Sequence, residues 1–213
     1  MPNRRVLRDA LCIEIFHYWG LKMKTEFPRA YLAAANCFIG IKDIRYYLCG
    51  VLVESLLTET RLAATNGNIA AVLRHALANE DRFEIIIPAA TVALALKMPG
   101  EFMTLEKIGD KWSLAGIAFV PIDGKFPDYR RIVPSNCSSD AASGFAPDLL
   151  MAFAKAGKAL KIKAHPIARQ NGKDAALVHF YAFDNFVGVL MPLNHFTAKF
   201  PDLGMPSWGG ERA

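Results

Sequence analysis

One local pattern recurs three times in this chain and limits the fold more than any other feature: a short helix followed by three strands. In the first copy, a proline near the first turn and helically spaced apolar residues predict a helix over 27–38. Strand patterns follow at 46–56, at 60–65 and at 69–73. Asn66-Gly67 separates the last two strands and is typical of a hairpin turn.

The second copy repeats this order. An apolar strand over 83–87 ends at Pro88, and a helix over 89–98 is closed by Pro99-Gly100. Three further strands are predicted at 102–108, 112–114 and 117–122, with Gly109-Asp110 as a turn.

The third copy begins with a helix at Ala146-Pro147-Asp148. Strands are predicted over 162–167, 176–183 and 186–193, with a hairpin turn at Asn171-Gly172. The copies recur at a spacing of roughly 55–60 residues, which indicates an internal repeat of βαβββ-like units. The predicted fold class is α+β, with helices on one face of antiparallel sheets.

Composition narrows the class of protein. Of the 213 residues, 53% are hydrophobic and 21% are charged, which is typical of a chain that folds around a core. The net charge of +5 is compatible with a polyanionic partner. No apolar run approaches the ~18 residues that a membrane span needs, so no membrane partner is expected. The four cysteines are Cys12, Cys37, Cys49 and Cys137. They lack the close spacing of a zinc site, so no metal or cofactor is expected. They are interpreted as reduced thiols in a cytoplasmic protein.

The two ends of the sequence differ from the repeats. Residues 1–22 form either an amphipathic extension or a segment before a start at Met23, and the second interpretation is slightly favoured. Residues 194–213 contain two prolines and Trp208-Gly209-Gly210, which is typical of a tail.

Four motifs occur in an order that resembles one known family. They are Lys42–Gly50 (KDIRYYLCG), Ala64–Gly67 (ATNG), Ile86–Pro88 (IIP) and Asp123–Pro134 (DGKFPDYRRIVP). Together they are similar to the central domain of bacterial sliding clamps, the beta subunit of DNA polymerase III. A weaker match, Phe145–Leu193, ends in Val189–Leu193 (VLMPL) and looks like the last half of the clamp's third domain. The resemblance describes a shortened homologue.

This resemblance implies a DNA-clamp fold and a division of the chain. Residues 1–22 would be an extension, 23–135 a central-type domain, 136–193 a partial C-terminal-type domain and 194–213 a tail. Members of the family close a six-domain ring from a head-to-tail dimer. Three βαβββ units correspond to about one and a half domains, so the number of chains in any homo-oligomer is left open.

The resemblance also implies a pocket that binds linear peptide motifs of DNA polymerases and clamp-loader subunits. An extended peptide with apolar anchors suits a groove of apolar side chains with a charged rim. One departure lies beside Gly67, where the family's Asp-Gly-His-Arg-Leu is replaced by Asn66–Ala70 (NGNIA). The implied pocket residues are Arg45, Leu48, Thr65, Gly67, Pro127, Arg131, Ile132, Val189, Leu190, Met191, Pro192 and Leu193. For Leu48, Val189 and Leu190, an ordinary place in the core is an equally simple interpretation.

Double-stranded DNA is the second implied partner. Cations on helices and a loop with paired tyrosines would contact phosphates and stack on bases without reading sequence. A solvated helix face is the alternative for the lysines. The implied DNA-binding residues are Arg29, Lys42, Tyr46, Tyr47, Lys155, Lys158 and Lys161.

Two functions therefore compete at this point. The first is a non-catalytic processivity factor that tethers polymerase to DNA during replication, and the second is an adaptor or decoy that binds the same peptides without encircling DNA. An enzyme is disfavoured, because Asp123 with Asp128, or Cys137 with His165 or His179, lacks the spacing of a catalytic site.

Overall fold

A proline lies at the start of each α-helix, either directly before its first residue or as that residue. The computed structural model describes residues 23–135, 137 and 144–193. Pro28 and Pro88 are extended residues that precede the first two helices, and Pro147 is the first residue of the third. Proline suits these positions because its fixed φ is pre-organised for the first turn, where an amide N–H has no intrahelical partner. The helices are α1 (Arg29–Ala35), α2 (Ala89–Ala95) and α3 (Pro147–Ala159).

Eleven strands are present in the described residues. The first unit holds β1 (Lys24–Pro28), β2 (Gly50–Leu56), β3 (Glu59–Thr65) and β4 (Ile69–Ala76). The second holds β5 (Phe83–Pro88), β6 (Phe102–Ile108), β7 (Lys111–Leu114) and β8 (Ile117–Phe119). The third holds β9 (Pro166–Arg169), β10 (Ala176–Phe180) and β11 (Phe183–Leu190).

The first two units complete each other by exchanging strands. β1, which precedes the helix of the first unit, pairs with β6 of the second, and β5 of the second unit pairs with β2 of the first. The order of the four-stranded sheet is β1-β6-β7-β8, and that of the seven-stranded sheet is β5-β2-β3-β4-β11-β10-β9. Every pairing is antiparallel. The predicted fold class is thus confirmed.

The third unit joins the first through one strand pairing and a buried core. β11 pairs with β4 from Phe186 opposite Leu73 to Leu190 opposite Ile69. Behind this junction, the Phe153 ring lies 4.9 Å from the Phe38 ring and 6.4 Å from the Phe186 ring, centroid to centroid. Gly188 leaves room for this packing, since a Cβ there would overlap the Phe153 ring. Sheet and core therefore run across the expected boundary at residue 135, and the division into domains remains a prediction.

The seven-stranded sheet has two faces with different chemistry. The inner face, which carries Val51, Val53, Leu62 and Leu190, belongs to the main core with the helices. The outer face carries a smaller cluster of Leu52, Ala63, Ile86, Phe126 and Tyr129. Alternation of side chains along each strand produces this division.

The structure corrects several sequence-based bounds. β1 was not predicted, because five residues that end in proline resemble the start of the helix. Residues 46–48 form a 3-10 helix before β2 begins. β9 begins at Pro166, so the strand predicted over 162–167 starts too early. The third helix, unlike the first two, has no strand directly before it, since Gly144–Ala146 is irregular.

Candidate functional site

The β3–β4 hairpin forms one side of the candidate peptide groove. The Thr65 side-chain oxygen accepts from the Gly67 amide at 3.0 Å, and Asn66 Oδ1 accepts from the Asn68 and Ile69 amides, each at 3.0 Å. Gly67 has φ +92°, a conformation that strains any residue with a Cβ. The hairpin predicted from Asn66-Gly67 is thus present and tightly defined.

Arg45 lies against this hairpin. A Cβ on residue 67 would stand only 2.7 Å from Arg45 Nη2, so a side chain there would displace the guanidinium from this position. Arg45 also donates to Asp43 from Nη2 at 2.7 Å and from Nε at 3.0 Å. The Arg45 side-chain and backbone hydrogen bonds lower the pKa of Asp43 to about 2, so the pair stays ionised at neutral pH. Arg45 is a positioned, exposed cation at the rim.

The end of β11 supplies the opposite side. The Met191 amide donates to the Asn68 carbonyl at 2.9 Å, so the residues after β11 run beside the hairpin loop. The Leu193 amide donates to the Gly144 carbonyl at 2.8 Å. Met191 is 42% exposed and Leu193 is 37% exposed, so both offer apolar surface. Pro192 is half-buried between them.

The predicted groove residues divide between the two faces of the sheet. Val189 pairs with Ala70, and Ala70 pairs with Thr65, so these three side chains share the outer face. Leu190 points the other way, into the main core, and is fully buried. Leu48 is also buried, with 1% exposure. Val189 is buried as well, with 3% exposure, so for Leu48, Val189 and Leu190 the structure favours a buried structural position over groove contact.

Residues 123–134, which we call the connector, lie over the outer face next to β2 and β5. Pro127 and Arg131 line a cavity of about 400 Å³ together with Glu54 and Glu84 of these strands. Ile132 is 41% exposed and is not among the lining residues. The cavity is acidic on the sheet side and basic on the connector side.

An ionic anchor that the sequence did not reveal holds the connector to β2. Arg130 donates to both Glu54 oxygens, at 2.9 and 3.0 Å, and the Tyr129 hydroxyl donates to the same carboxylate. Arg61 donates to the Tyr129 hydroxyl at 3.3 Å, and the Arg130 guanidinium lies 4.6 Å from the Tyr129 ring centroid. Burial, supported by the Glu54 bond, raises the pKa of Tyr129 to about 12. The sequence signal that could have revealed this anchor is Glu54, a single acidic residue in an apolar strand.

The candidate DNA-contacting residues occupy several places. Tyr46 is exposed, whereas Tyr47 packs against the outer-face cluster, and the two rings meet edge-on at 5.8 Å. Lys42, Lys155, Lys158 and Lys161 are exposed. Arg29 differs, because its guanidinium donates to the Leu96 carbonyl and its Nε is buried without a partner. Arg29 thus connects α1 to the end of α2.

Within the described residues, no group of three or more His, Cys, Asp or Glu side chains is placed to hold a metal ion. His75 packs beside Tyr31 and Phe102, and burial lowers its pKa. Nor does any described helix have the length and apolarity to cross a membrane.

Comparison with solved structures shows which class of fold this chain has. A solved structure of the DNA polymerase III beta subunit from Thermotoga maritima superposes with a TM-score of 0.62, over 80% of this chain and 65% of that one, at 13% identity. This likeness establishes the DNA-clamp fold. No protein-family model matches the chain.

Sequence relatives agree with this fold. The beta sliding clamp of Salmonella typhimurium is 35% identical over 123 residues, which are 54% of this chain and 33% of the relative. The beta sliding clamp of Proteus mirabilis is 32% identical over 151 residues, which are 65% of this chain and 41% of the relative. The matched part of the chain thus spans between a third and about two fifths of the length of these two relatives. The predicted resemblance is confirmed: this chain is similar to bacterial beta sliding clamps over part of its length.

Proposed function

We propose that this protein is a clamp-like processivity factor, which binds linear peptides of a DNA polymerase and its loader and holds the polymerase on DNA. It would perform no bond chemistry. One observation carries the proposal: the Met191 amide bonds the Asn68 carbonyl, which brings the segment 189–193 beside the hairpin of Thr65 and Gly67. Two parts of the expected pocket that lie far apart in the sequence are therefore adjacent.

The chemistry of this groove suits an extended peptide with apolar anchors. Met191 and Leu193 offer exposed apolar surface, and methionine adapts its shape to different partners. Val189 and Ala70 pair on neighbouring strands of the outer face and are buried, with 3% and 4% exposure, so they shape the sheet beside the groove and offer little contact surface. Arg45 lies at the rim, where it would pair with an acidic or carbonyl group of the ligand. Such a site gains affinity from a few buried anchors and not from its total area.

Peptide binding can be tested by fluorescence anisotropy with a labelled clamp-binding peptide from a polymerase. Met191→Glu is expected to weaken binding at least about tenfold, because a carboxylate would replace an apolar anchor contact. Ile167→Glu on β9 is the matched control, since Ile167 is similarly exposed but lies on the far edge of the sheet. Equal affinity of Met191→Glu and wild type would exclude this groove.

DNA binding is the second part of the proposal. Lys155 and Lys158 lie on the exposed side of α3, and Tyr46 with Lys42 lies on the loop before β2. Contacts of this kind are electrostatic, so affinity should fall steeply as salt rises, and the double variant Lys155→Glu, Lys158→Glu should reduce the slope. Retention on closed circular DNA and release after linearisation would show that the protein encircles the duplex. Loss from both forms alike would contradict encirclement.

A second function, the non-encircling adaptor or decoy, is favoured by the state of Arg29. Its guanidinium is used inside the protein, between α1 and α2, so one of the expected DNA-contacting cations is already occupied. An adaptor would bind the polymerase peptide as above, without retention on circular DNA. The two assays together separate the two functions.

A further inference from the structure

The candidate groove lies where the described part of the chain stops, and the sequence continues from the wall of the groove. The Met191 amide donates to the Asn68 carbonyl at 2.9 Å, and the Leu193 amide donates to the Gly144 carbonyl at 2.8 Å. These two bonds fix one side of the groove and also the point from which residues 194–213 continue. Those residues lie outside the described part of the chain. An apolar segment soon after Leu193 is therefore covalently held near the groove.

Residues 194–213 contain a segment with the composition of a groove ligand. Residues 200–205, which we call the FPDLGM segment, combine three large apolar side chains with one acid, Asp202. Pro201 and Pro206 bias the residues before them toward extended backbone. An extended peptide with apolar anchors is the kind of ligand that suits a groove of apolar side chains with a charged rim.

The groove and the FPDLGM segment are complementary in charge and in apolar surface. On the wall of the groove, Met191 is 42% exposed and Leu193 is 37% exposed. At the rim, Arg45 uses Nε and Nη2 toward Asp43, and a guanidinium carries further N–H donors that a second acid can accept. Asp202 is followed directly by a leucine, so a carboxylate and an apolar anchor are available side by side for the rim and the wall.

The chain between Leu193 and the FPDLGM segment is long enough for a return to the groove. Residues 194–199 separate the two. At ~3.3–3.6 Å per extended residue, this stretch spans up to about 20 Å. A reversal of direction takes about two to five residues. A tether this short gives the segment an effective concentration on the order of 1 mM at the groove of its own chain.

We propose that the FPDLGM segment occupies the candidate groove of its own chain and competes there with the polymerase peptide. Leu203 packs against Met191, and Asp202 faces Arg45. This inference rests on the proposed peptide-binding function and adds a regulation of the same site. If the segment alone has a Kd of about 100 µM, an effective concentration of about 1 mM raises the apparent Kd of a free peptide about tenfold. The groove is then available to ligands that bind tightly or are held close by.

Relief of this competition can be measured on the full chain with the labelled polymerase peptide and fluorescence anisotropy. Leu203→Glu should raise the affinity for that peptide about tenfold, because the competing anchor is lost. Trp208→Glu is the matched control, since it changes a large apolar residue outside the FPDLGM segment, and it should leave the affinity unchanged. An unchanged affinity of Leu203→Glu for a peptide that binds the wild type, or an equal gain in Trp208→Glu, would overturn the inference.

A mixing experiment shows whether the competition is within one chain. The Met191→Glu chain keeps the FPDLGM segment and has an altered groove, so it can supply the segment to another copy. At about 10 µM it should leave the peptide affinity of Leu203→Glu unchanged, because this is well below the expected Kd of about 100 µM. A lowered affinity would assign the contact to a second copy and would contradict the proposal.

A synthetic labelled peptide of residues 198–207 makes the test independent of the polymerase peptide. It should bind the Leu203→Glu chain with a Kd on the order of 100 µM and the wild type about tenfold more weakly, since the wild-type groove is filled. Adding Met191→Glu to Leu203→Glu should weaken this binding at least about tenfold. Equal binding to the single and double variants would overturn the inference. If the synthetic peptide binds in the expected pattern while the polymerase peptide binds no variant, the proposed partner is wrong and the internal contact stands.

Discussion

The two faces of the seven-stranded sheet hold the molecule together in different ways. On the inner face, aromatic rings from α3 and β11 pack against Phe38 of the first unit, with ring centroids 4.9 to 6.4 Å apart. On the outer face, Phe126 and Tyr129 of the connector pack in the smaller apolar cluster, and Arg130 and Tyr129 bond a single carboxylate, Glu54. The inner contact is wholly apolar, whereas the outer one combines a smaller apolar contact with a partly exposed ion pair.

Because of this difference, the contacts that stabilise the fold are separate from those proposed to bind a partner. Burial of large apolar side chains contributes far more to stability than a partly exposed ion pair does. The third unit should therefore stay attached through its inner core even when the outer contacts are altered. Substitutions on the outer face can then change binding while the fold is kept, and three predictions test this separation.

The largest expected effect is on the inner face. Phe153→Ala should lower the free energy of unfolding by about 3–5 kcal/mol, because it removes a fully buried ring and leaves a cavity. Urea unfolding followed by circular dichroism measures this change. Met151→Ala, at an exposed position of the same helix, should change stability by less than about 0.5 kcal/mol. A small effect of Phe153→Ala would mean that α3 is held chiefly by other contacts.

An intermediate effect is expected from the connector anchor. Tyr129→Phe should cost about 1 kcal/mol at neutral pH, because it removes the hydroxyl that donates to Glu54 and accepts from Arg61. The folded pKa of Tyr129 is about 12, above its ordinary value of 10.0, so the folded state holds this proton more tightly. Its contribution is thus complete below pH 10 and is lost as the pH rises through 12.

Unfolding in urea at a series of alkaline pH values checks this dependence. The wild type should lose stability relative to Tyr129→Phe between pH 10 and 12, and the two should converge at the upper end. Parallel curves for the two proteins would show that the hydroxyl is not held as described.

The smallest effect concerns the rim of the candidate groove. The Asp43 carboxyl should titrate at about 2 by NMR, since its hydrogen bonds to Arg45 stabilise the ionised form. A lowered pKa means that this stabilisation is present above the ordinary value of 3.8 and disappears as the pH falls to about 2. Arg45→Ala should return the Asp43 pKa toward 3.8, whereas Ile44→Ala, at a 96% exposed neighbour, should leave it unchanged. A normal Asp43 pKa in the wild type would show that Arg45 is free of this partner.

Much of the fold could be predicted, because its signals are local. The proline before each helix, the Asn66-Gly67 turn and the apolar alternation of the strands are each contained in a short window. β1 was missed because five residues ending in proline contain too little periodicity to separate a strand from the start of a helix.

The candidate site was predictable only in part. Arg45, Gly67 and Met191 lie where the motifs suggested, around the hairpin loop. Other members of the predicted group are buried, because a motif records which residues occur together and not how exposed each one is: Leu48, Thr65, Val189 and Leu190. Glu54, Tyr129 and Arg130 were not recognised as one unit, since they meet only when the connector lies across β2.

The sequence by itself determined the repeating units, the α+β class and the similarity to sliding clamps, because periodicity, turn residues and motifs are properties of neighbouring residues. The tertiary structure alone decided that β4 pairs with β11, that Glu54 meets Arg130 and that Arg29 is used internally. The physical reason is that pairing between distant strands depends on which surfaces can be buried together. No window of the chain contains both surfaces.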